Sequence, residues 1–319
     1  MKKQLDILIL AKADYSNAGY LYAEALRSVG VKAEAWAVNP SPRQYGRHAN
    51  IFHSLEDDIV PMLRSAKAIQ LMHSRRFHLN VSNKFVVAFH GGSRYRHDPD
   101  AMNEVFNPIV NKTIIQTGDL LDKGAKNQVW ILPCIETDMI KPDFEHHDSK
   151  LVVAHYPHKS YVKGTEMIFD TLAVLEDSKV FCHNTRGWKY YINDGLVSWE
   201  ENLKRIAGCD IYIEAVKPEL RGKPYGEWGI TALEAAALGR IVVTHFRSYD
   251  RYVKEYGPCP LQVANNAEEF RAVMMKLLAM SWPEIDALKR ETRMWVEKFH
   301  SLKAVGQRLK EKVYESLFT

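Results

Sequence analysis

The sequence predicts an α/β protein of two doubly wound parallel-sheet domains, followed by a helical tail. Three observations predict it. The chain has 319 residues, more than one ordinary core organises and enough for two domains of about 150 residues each. A short apolar run, a helical pattern and another apolar run succeed one another along most of its length. Near the midpoint, Lys141-Pro142-Asp143-Phe144-Glu145-His146-His147-Asp148 is polar and aperiodic, as an interdomain linker is, and the rhythm restarts after it. The boundaries that follow are 1–145, 146–299 and a last helix over 300–319.

Leu5–Leu10 is almost continuously apolar, the mark of a parallel strand buried on both faces. Asn17 is placed to cap the helix that follows, and Gly30 to close it before a strand at Val31–Val38. Further strands are expected at Ala68–Met72, Phe85–Phe89, Thr113–Gln116 and Val129–Leu132. No Asn-Gly turn joins them, so crossover connections are favoured. The second half reads as strand Leu151–Ala154, helix Thr165–Leu175, strand Val180–Phe181, helix Trp199–Ala207 and strand Ile211–Ile213. Helix Ile230–Leu238, strand Ile241–Thr244, a short run Leu261–Val263 and helix Ala267–Met280 complete it. From Pro283 the pattern is helical and amphipathic, with Trp295, Phe299, Leu302, Leu309 and Tyr314 facing a core.

Hydrophobic residues make up 46% and charged residues 26%, without a low-complexity tract, which excludes a disordered chain. The longest apolar runs, Ile7–Leu10 and Phe85–Phe89, fall far short of the roughly 20 residues that span a bilayer. Met1-Lys2-Lys3 is basic, but Asp6 and Lys12 follow too soon for a signal peptide, so a cytoplasmic protein without an integral membrane segment is expected. Cys134, Cys182, Cys209 and Cys259 form no CxxC pair, which suits a reducing compartment and argues against a zinc site. A net charge of +4 fits a phosphate pocket and is too small for a nucleic-acid stripe. No metal site is expected. Asp98-Pro99-Asp100 reads as a cap, a first-turn proline and a first-turn acid, and His146-His147 as solvated. Trp188, Tyr190 and Tyr191 read as packing.

Chemistry concentrates in Pro224-Tyr225-Gly226-Glu227-Trp228-Gly229-Ile230-Thr231-Ala232-Leu233-Glu234-Ala235-Ala236-Ala237-Leu238-Gly239. Gly226 and Gly229 let the backbone turn sharply and approach a ligand. The helix start at Ile230, Thr231 and Ala232 offers unpaired N–H groups and a positive dipole end to phosphate. Glu234 lies one turn inside among apolar neighbours, where a carboxylate needs a partner, and a pair of ligand hydroxyls is one.

This stretch, ending in Leu-Glu-Ala-Ala-Ala-Leu-Gly and Arg-Ile-Val-Val, resembles the donor site of the retaining GT-B transferases of glycosyltransferase family 4. The resemblance implies the GT-B fold, two Rossmann-like domains facing a cleft, with the C-terminal helix crossing back onto the first. It implies that Glu234 holds the nucleotide ribose and that Ile230, Thr231 and Ala232 hold the diphosphate. Where the family often has a second acidic residue this chain has Gly226, with Glu227 beside it. His155-Tyr156-Pro157 and Lys163-Gly164-Thr165 resemble the family's phosphate-binding segment, with Ser160 in place of a frequent arginine and Lys159 as its substitute. Leu132-Pro133-Cys134-Ile135-Glu136-Thr137-Asp138 resembles the turn that ends the first domain. His90-Gly91-Gly92-Ser93 resembles a His-Gly turn whose histidine faces the donor sugar, and Ala13–Gly19 the acceptor-side glycine loop, with Gly19 at its end.

The expectation is therefore a retaining, metal-independent transfer of a sugar from a nucleotide-diphosphate sugar, UDP foremost, to an unidentified acceptor: a glycan, a lipid-linked sugar, a small molecule or DNA. No cofactor is expected beyond the donor substrate. His90, Lys163 and Glu227 are the candidate catalytic residues. Glu234, Gly226, Gly229, Ile230, Thr231, Ala232, Lys159, His155 and Gly19 are the candidate donor-binding ones. The rivals are a nucleotide-sugar epimerase of the same fold, a non-catalytic nucleotide-sugar-binding subunit, and a transferase acting on DNA through His73–Arg76 and Arg94–His97.

Overall fold

The computed structural model describes residues 5–146, 148–178 and 187–318. The expected strand Val180–Phe181, Cys182, His147 and Met1-Lys2-Lys3 lie outside the described residues. The chain forms two compact units. One comprises Met1–Glu136 and His300–Thr319, and the other Thr137–Phe299, so the aperiodic stretch 141–148 falls inside the second.

The strands of the first unit are β1 (Ile7–Ala13), β2 (Ala33–Asn39), β3 (Asn50–Ile51), β4 (Ala68–Leu71), β5 (Phe85–His90), β6 (Lys112–Ile115) and β7 (Gln128–Trp130). They lie in the order β3-β2-β1-β4-β5-β6-β7, all parallel, with Ile7 opposite both Ala33 and Ala68. Parallel strands need crossovers. Those that carry helices use α1 (Ala18–Ser28), α2 (Val60–Ser65), α3 (Ser93–His97) and α4 (Pro99–Phe106). Asp98 caps α4 through its side chain, which accepts from the Ala101 N–H at 3.0 Å, and Pro99 opens the helix. Leu8, Leu10, Ile69, Val86 and Ala88 are buried in one apolar cluster of this unit.

The strands of the second unit are β8 (Leu151–His155), β9 (Trp188–Ile192), β10 (Ile211–Ala215), β11 (Glu219–Leu220), β12 (Lys223–Pro224), β13 (Ile241–Thr244) and β14 (Gln262–Val263). The sheet order is β14-β13-β10-β8-β9, again parallel, while β11 and β12 form a separate antiparallel pair. Its helices are α5 (Ser160–Lys163), α6 (Thr165–Asp177), α7 (Trp199–Ala207), α8 (Ile230–Ala237), α9 (Tyr249–Tyr256) and α10 (Ala267–Leu278). Two more follow, α11 (Trp282–His300) and α12 (Leu302–Arg308), the latter within the first unit. There α12 packs so tightly on α1 that a Cβ on Gly306 would run into the Ala25 carbonyl oxygen.

Three sequence expectations change. Asn17 adopts a left-handed conformation and makes no side-chain cap; the Asp14 carboxylate accepts the Gly19 and Tyr20 N–H groups instead, at 2.7 and 2.9 Å. Trp188 and Tyr190 pack, as expected, but as part of a strand at the edge of the sheet, Trp188 within the apolar cluster of this unit. His146 is not simply solvated: its Nδ1 lies 3.1 Å from Asp210 Oδ1 and its Nε2 2.9 Å from Asp286 Oδ1. No helix among the described residues is long and apolar enough to cross a membrane.

Burial holds three imidazoles neutral. His90 and His155 are pushed down to about 4 and His300 to about 3. An unfolded histidine titrates near 6.5, so below that pH the unfolded chain binds protons that the folded chain refuses. Stability from these groups is therefore present above pH ~6.5 and falls continuously down to pH ~3, most of it by pH ~4. Melting temperatures measured across that window should fall, and His155→Asn should flatten the slope. An unchanged slope would show that this imidazole is not buried neutral.

Candidate functional site

In the second unit the strand order reverses at β8, which has β9 on one side and β10 on the other. Ligands of open α/β sheets bind at the carboxyl ends of the strands beside such a reversal. His155 closes β8, Glu214 and Ala215 close β10, and His245 directly follows β13. Two helices at this edge, α6 and α8, start on glycines, Gly164 and Gly229, and neither has a side-chain cap.

The turn after β8 is fastened to the end of β10 by its backbone. Gly164 has φ +79°, and a Cβ there would run into the Val216 carbonyl oxygen, so only glycine fits. The Val216 N–H donates to the Lys163 carbonyl at 3.0 Å. That docking brings the Lys163 ammonium onto Glu214, where Nζ donates to Oε1. The Glu214 side chain is 2% exposed and that of Lys163 27%. His155 ties the same elements together from below: Nδ1 donates to the Ile213 carbonyl at 2.8 Å, and Nε2 accepts from the Thr165 hydroxyl at 2.9 Å. Lys159 is exposed at the start of α5, and Ser160 Oγ donates to Asp194 Oδ2 at 2.5 Å.

The glycine-bearing loop is anchored at both ends. Gly226 turns with φ +66°, and its carbonyl accepts from His245 Nε2 at 3.2 Å, while His245 Nδ1 accepts from the Lys217 N–H at 3.3 Å. Burial lowers the pKa of His245, with the Lys163 charge acting in the same direction. Glu227, mostly buried, accepts the Ser248 N–H at 3.0 Å ahead of α9. Gly229 is extended, and a Cβ on it would stand 3.1 Å from Glu214 Oε1. Ala232 donates its N–H back to the Gly229 carbonyl at 3.1 Å, while the N–H groups of Ile230 and Thr231 precede any helical acceptor. Glu234 is 1% exposed, and its Oε1 accepts from the Trp199 indole N–H at 2.9 Å.

The expected residues thus fall into groups. Lys163 and Gly229 meet at Glu214, His155 joins the Ile213 carbonyl beside it to Thr165, Gly226 is held by His245, and Glu234 is oriented by Trp199. Glu227 is engaged with the start of α9. His90 and Gly19 belong to the first unit. The His90 ring is 1% exposed, 2.9 Å from Ser74 Oγ through Nδ1 and stacked on Tyr95 at 4.2 Å. The Gly19 N–H is engaged by Asp14.

Sequence reasoning missed Glu214, Trp199 and His245. Glu214 alone left a trace, a carboxylate directly after the apolar run Ile211-Tyr212-Ile213. Next to this group a cavity of about 670 Å³ is lined by Gly164, Met167, Val216, Lys217, Arg247 and Asn265, among others. Among the described residues no three His, Cys, Asp or Glu side chains group as a metal site would.

No protein-family model matches this sequence, and no curated protein matches it either. Solved structures do. Anabaena HepE in complex with UDP and glucose is similar at a TM-score of 0.59 and 12% identity, over 98% of this chain and 100% of that one. Sucrose-phosphate synthase from Thermosynechococcus elongatus is similar at a TM-score of 0.60 and 12% identity, over 98% and 99%. WaaG, a glycosyltransferase involved in lipopolysaccharide biosynthesis, is similar at 0.58 and 14%, over 95% and 98%. The fold is GT-B: two Rossmann-like α/β units with parallel sheets and C-terminal helices.

The two halves of the ion pair are unequal. Removing Lys163 strands a buried carboxylate, whereas removing the Glu214 charge leaves an ammonium that reaches water. Lys163→Met should cost about 3 kcal/mol in urea unfolding and Glu214→Gln less than about 1 kcal/mol. Equal costs would contradict the burial described.

Proposed function

We propose that this chain is a glycosyltransferase that moves a sugar from a nucleoside diphosphate, UDP, to an acceptor, with retention at the anomeric carbon and without a metal ion. The observation that carries the reading is the edge of the second unit, where α6 and α8 begin on Gly164 and Gly229 without side-chain caps. Uncapped N–H groups and the positive dipole end suit a diphosphate. The Glu234 carboxylate, one turn inside α8 and aimed by the Trp199 indole, suits the ribose hydroxyls. Anabaena HepE, of the same fold, is a complex with UDP and glucose.

In this reading the bond between the anomeric carbon and the β-phosphate oxygen breaks, and the acceptor oxygen bonds to that carbon on the same face. The acceptor's proton passes to the departing phosphate, so UDP leaves as the charge builds on it. The Ile230 and Thr231 N–H groups, Lys163 and Lys159 stabilise that charge, which is electrostatic catalysis by groups already in place. His155 and His245, both lowered in pKa by burial, serve as fixed hydrogen-bonding anchors of the two loops rather than as proton carriers.

A second reading, a nucleotide-sugar-binding protein without transfer activity, is favoured by two observations. The charge of Lys163 is countered by Glu214, and Ser160, where the family resemblance leads one to expect a frequent arginine, bonds to Asp194. Release of free sugar from the donor separates the two.

Thermal unfolding against UDP, GDP, ADP and their sugars tests the site. UDP at 100 times its dissociation constant should stabilise the wild type by about 2.7 kcal/mol and leave Glu234→Ala unmoved. Equal stabilisation of both proteins would remove Glu234 from the nucleotide site, and no response to any nucleotide would remove the function.

A further inference from the structure

Glu214 and Lys163 form an ion pair inside the edge assigned above to the diphosphate, and the carboxylate is the more deeply buried partner. The same oxygen that holds Lys163, Oε1, lies against Gly229, the residue on which α8 begins. His155 and His245 lie within electrostatic reach of this pair, and burial lowers the pKa of both.

We propose that Glu214 is a built-in competitor of the donor's diphosphate. Its carboxylate already engages the lysine and lies at the foot of the helix start that the phosphates would use. The inference rests on the donor-site reading above and adds a residue that no feature of that reading requires. A diphosphate that draws Lys163 away takes the Lys163 charge from a buried carboxylate, and the two anions then repel across a poorly solvated gap. Both effects weaken binding of the nucleoside diphosphate and spare an uncharged nucleoside. Glu214 therefore sets how much negative charge the site accepts: it favours release of UDP and makes the grip on the donor depend on contacts to its ribose and base.

Glu214→Gln keeps the shape, removes the charge and frees Lys163. Isothermal titration at fixed ionic strength, with UDP and with uridine as probes, reads the effect. UDP should bind Glu214→Gln at least about tenfold more tightly than wild type, with uridine unchanged. Glu214→Ala should gain as well, which separates loss of charge from any new contact of the amide. Glu214→Gln combined with Lys163→Met should lose the gain. Melting curves without ligand establish that each variant folds. If Glu214→Gln binds UDP no better than wild type, the carboxylate aims Lys163 at the ligand and the inference is overturned with the donor site intact. An equal gain for uridine overturns it too, since charge would not be the cause. If neither wild type nor variant binds UDP or uridine, the donor-site reading itself has failed and the inference falls with it.

Discussion

The first N–H groups of a helix have no acceptor within it, and what satisfies them decides what the adjoining edge of a parallel sheet can bind. In the first unit this is settled internally. Asp14 turns back across the left-handed Ser16-Asn17 pair and takes the Gly19 and Tyr20 N–H groups, so an anion is already part of that helix start. In the second unit Ser198 caps α7 and Asn266 caps α10 through their side chains, while α6 and α8 begin on bare glycines. The contrast separates helices that complete the scaffold from helices that look outward. Glu214 lies between these two cases, a carboxylate close to a helix start but held by a lysine.

Much of the scaffold was legible because its signals are local. Trp199–Ala207 and Ile241–Thr244 have the bounds expected from apolar periodicity, and Asp98-Pro99 opens a helix as its residue types dictate. The edge strand β9 blurred, since a strand of aromatic residues looks like any aromatic cluster. Asn17 and Asp14 are both short polar residues before a helix; backbone handedness at Ser16, which composition does not encode, chose Asp14.

The site was legible only in its backbone half. Glycines at the starts of α6 and α8 and a glutamate inside an alanine-rich helix are visible in a linear reading. Their side-chain partners are not. Glu214 meets Lys163 across 51 positions, Trp199 meets Glu234 across 35, and His245 reaches back 19 to Gly226. Such pairings follow from strand order, which brings the ends of β8, β10 and β13 together after the fold exists. His90 is the same case in the first unit: its place before Gly91-Gly92 is visible in the sequence, and its contacts with Ser74 and Tyr95 are not.

The first unit is built from two separated stretches of chain, with the second unit encoded wholly between them. During synthesis the ribosome releases Thr137–Phe299 before the segment that carries α12 has emerged. The first unit then has every strand of its sheet, but the face of α1 that receives Gly306 is still uncovered, while the second unit already has all its own residues. The unit that begins first is therefore the last to receive all its residues.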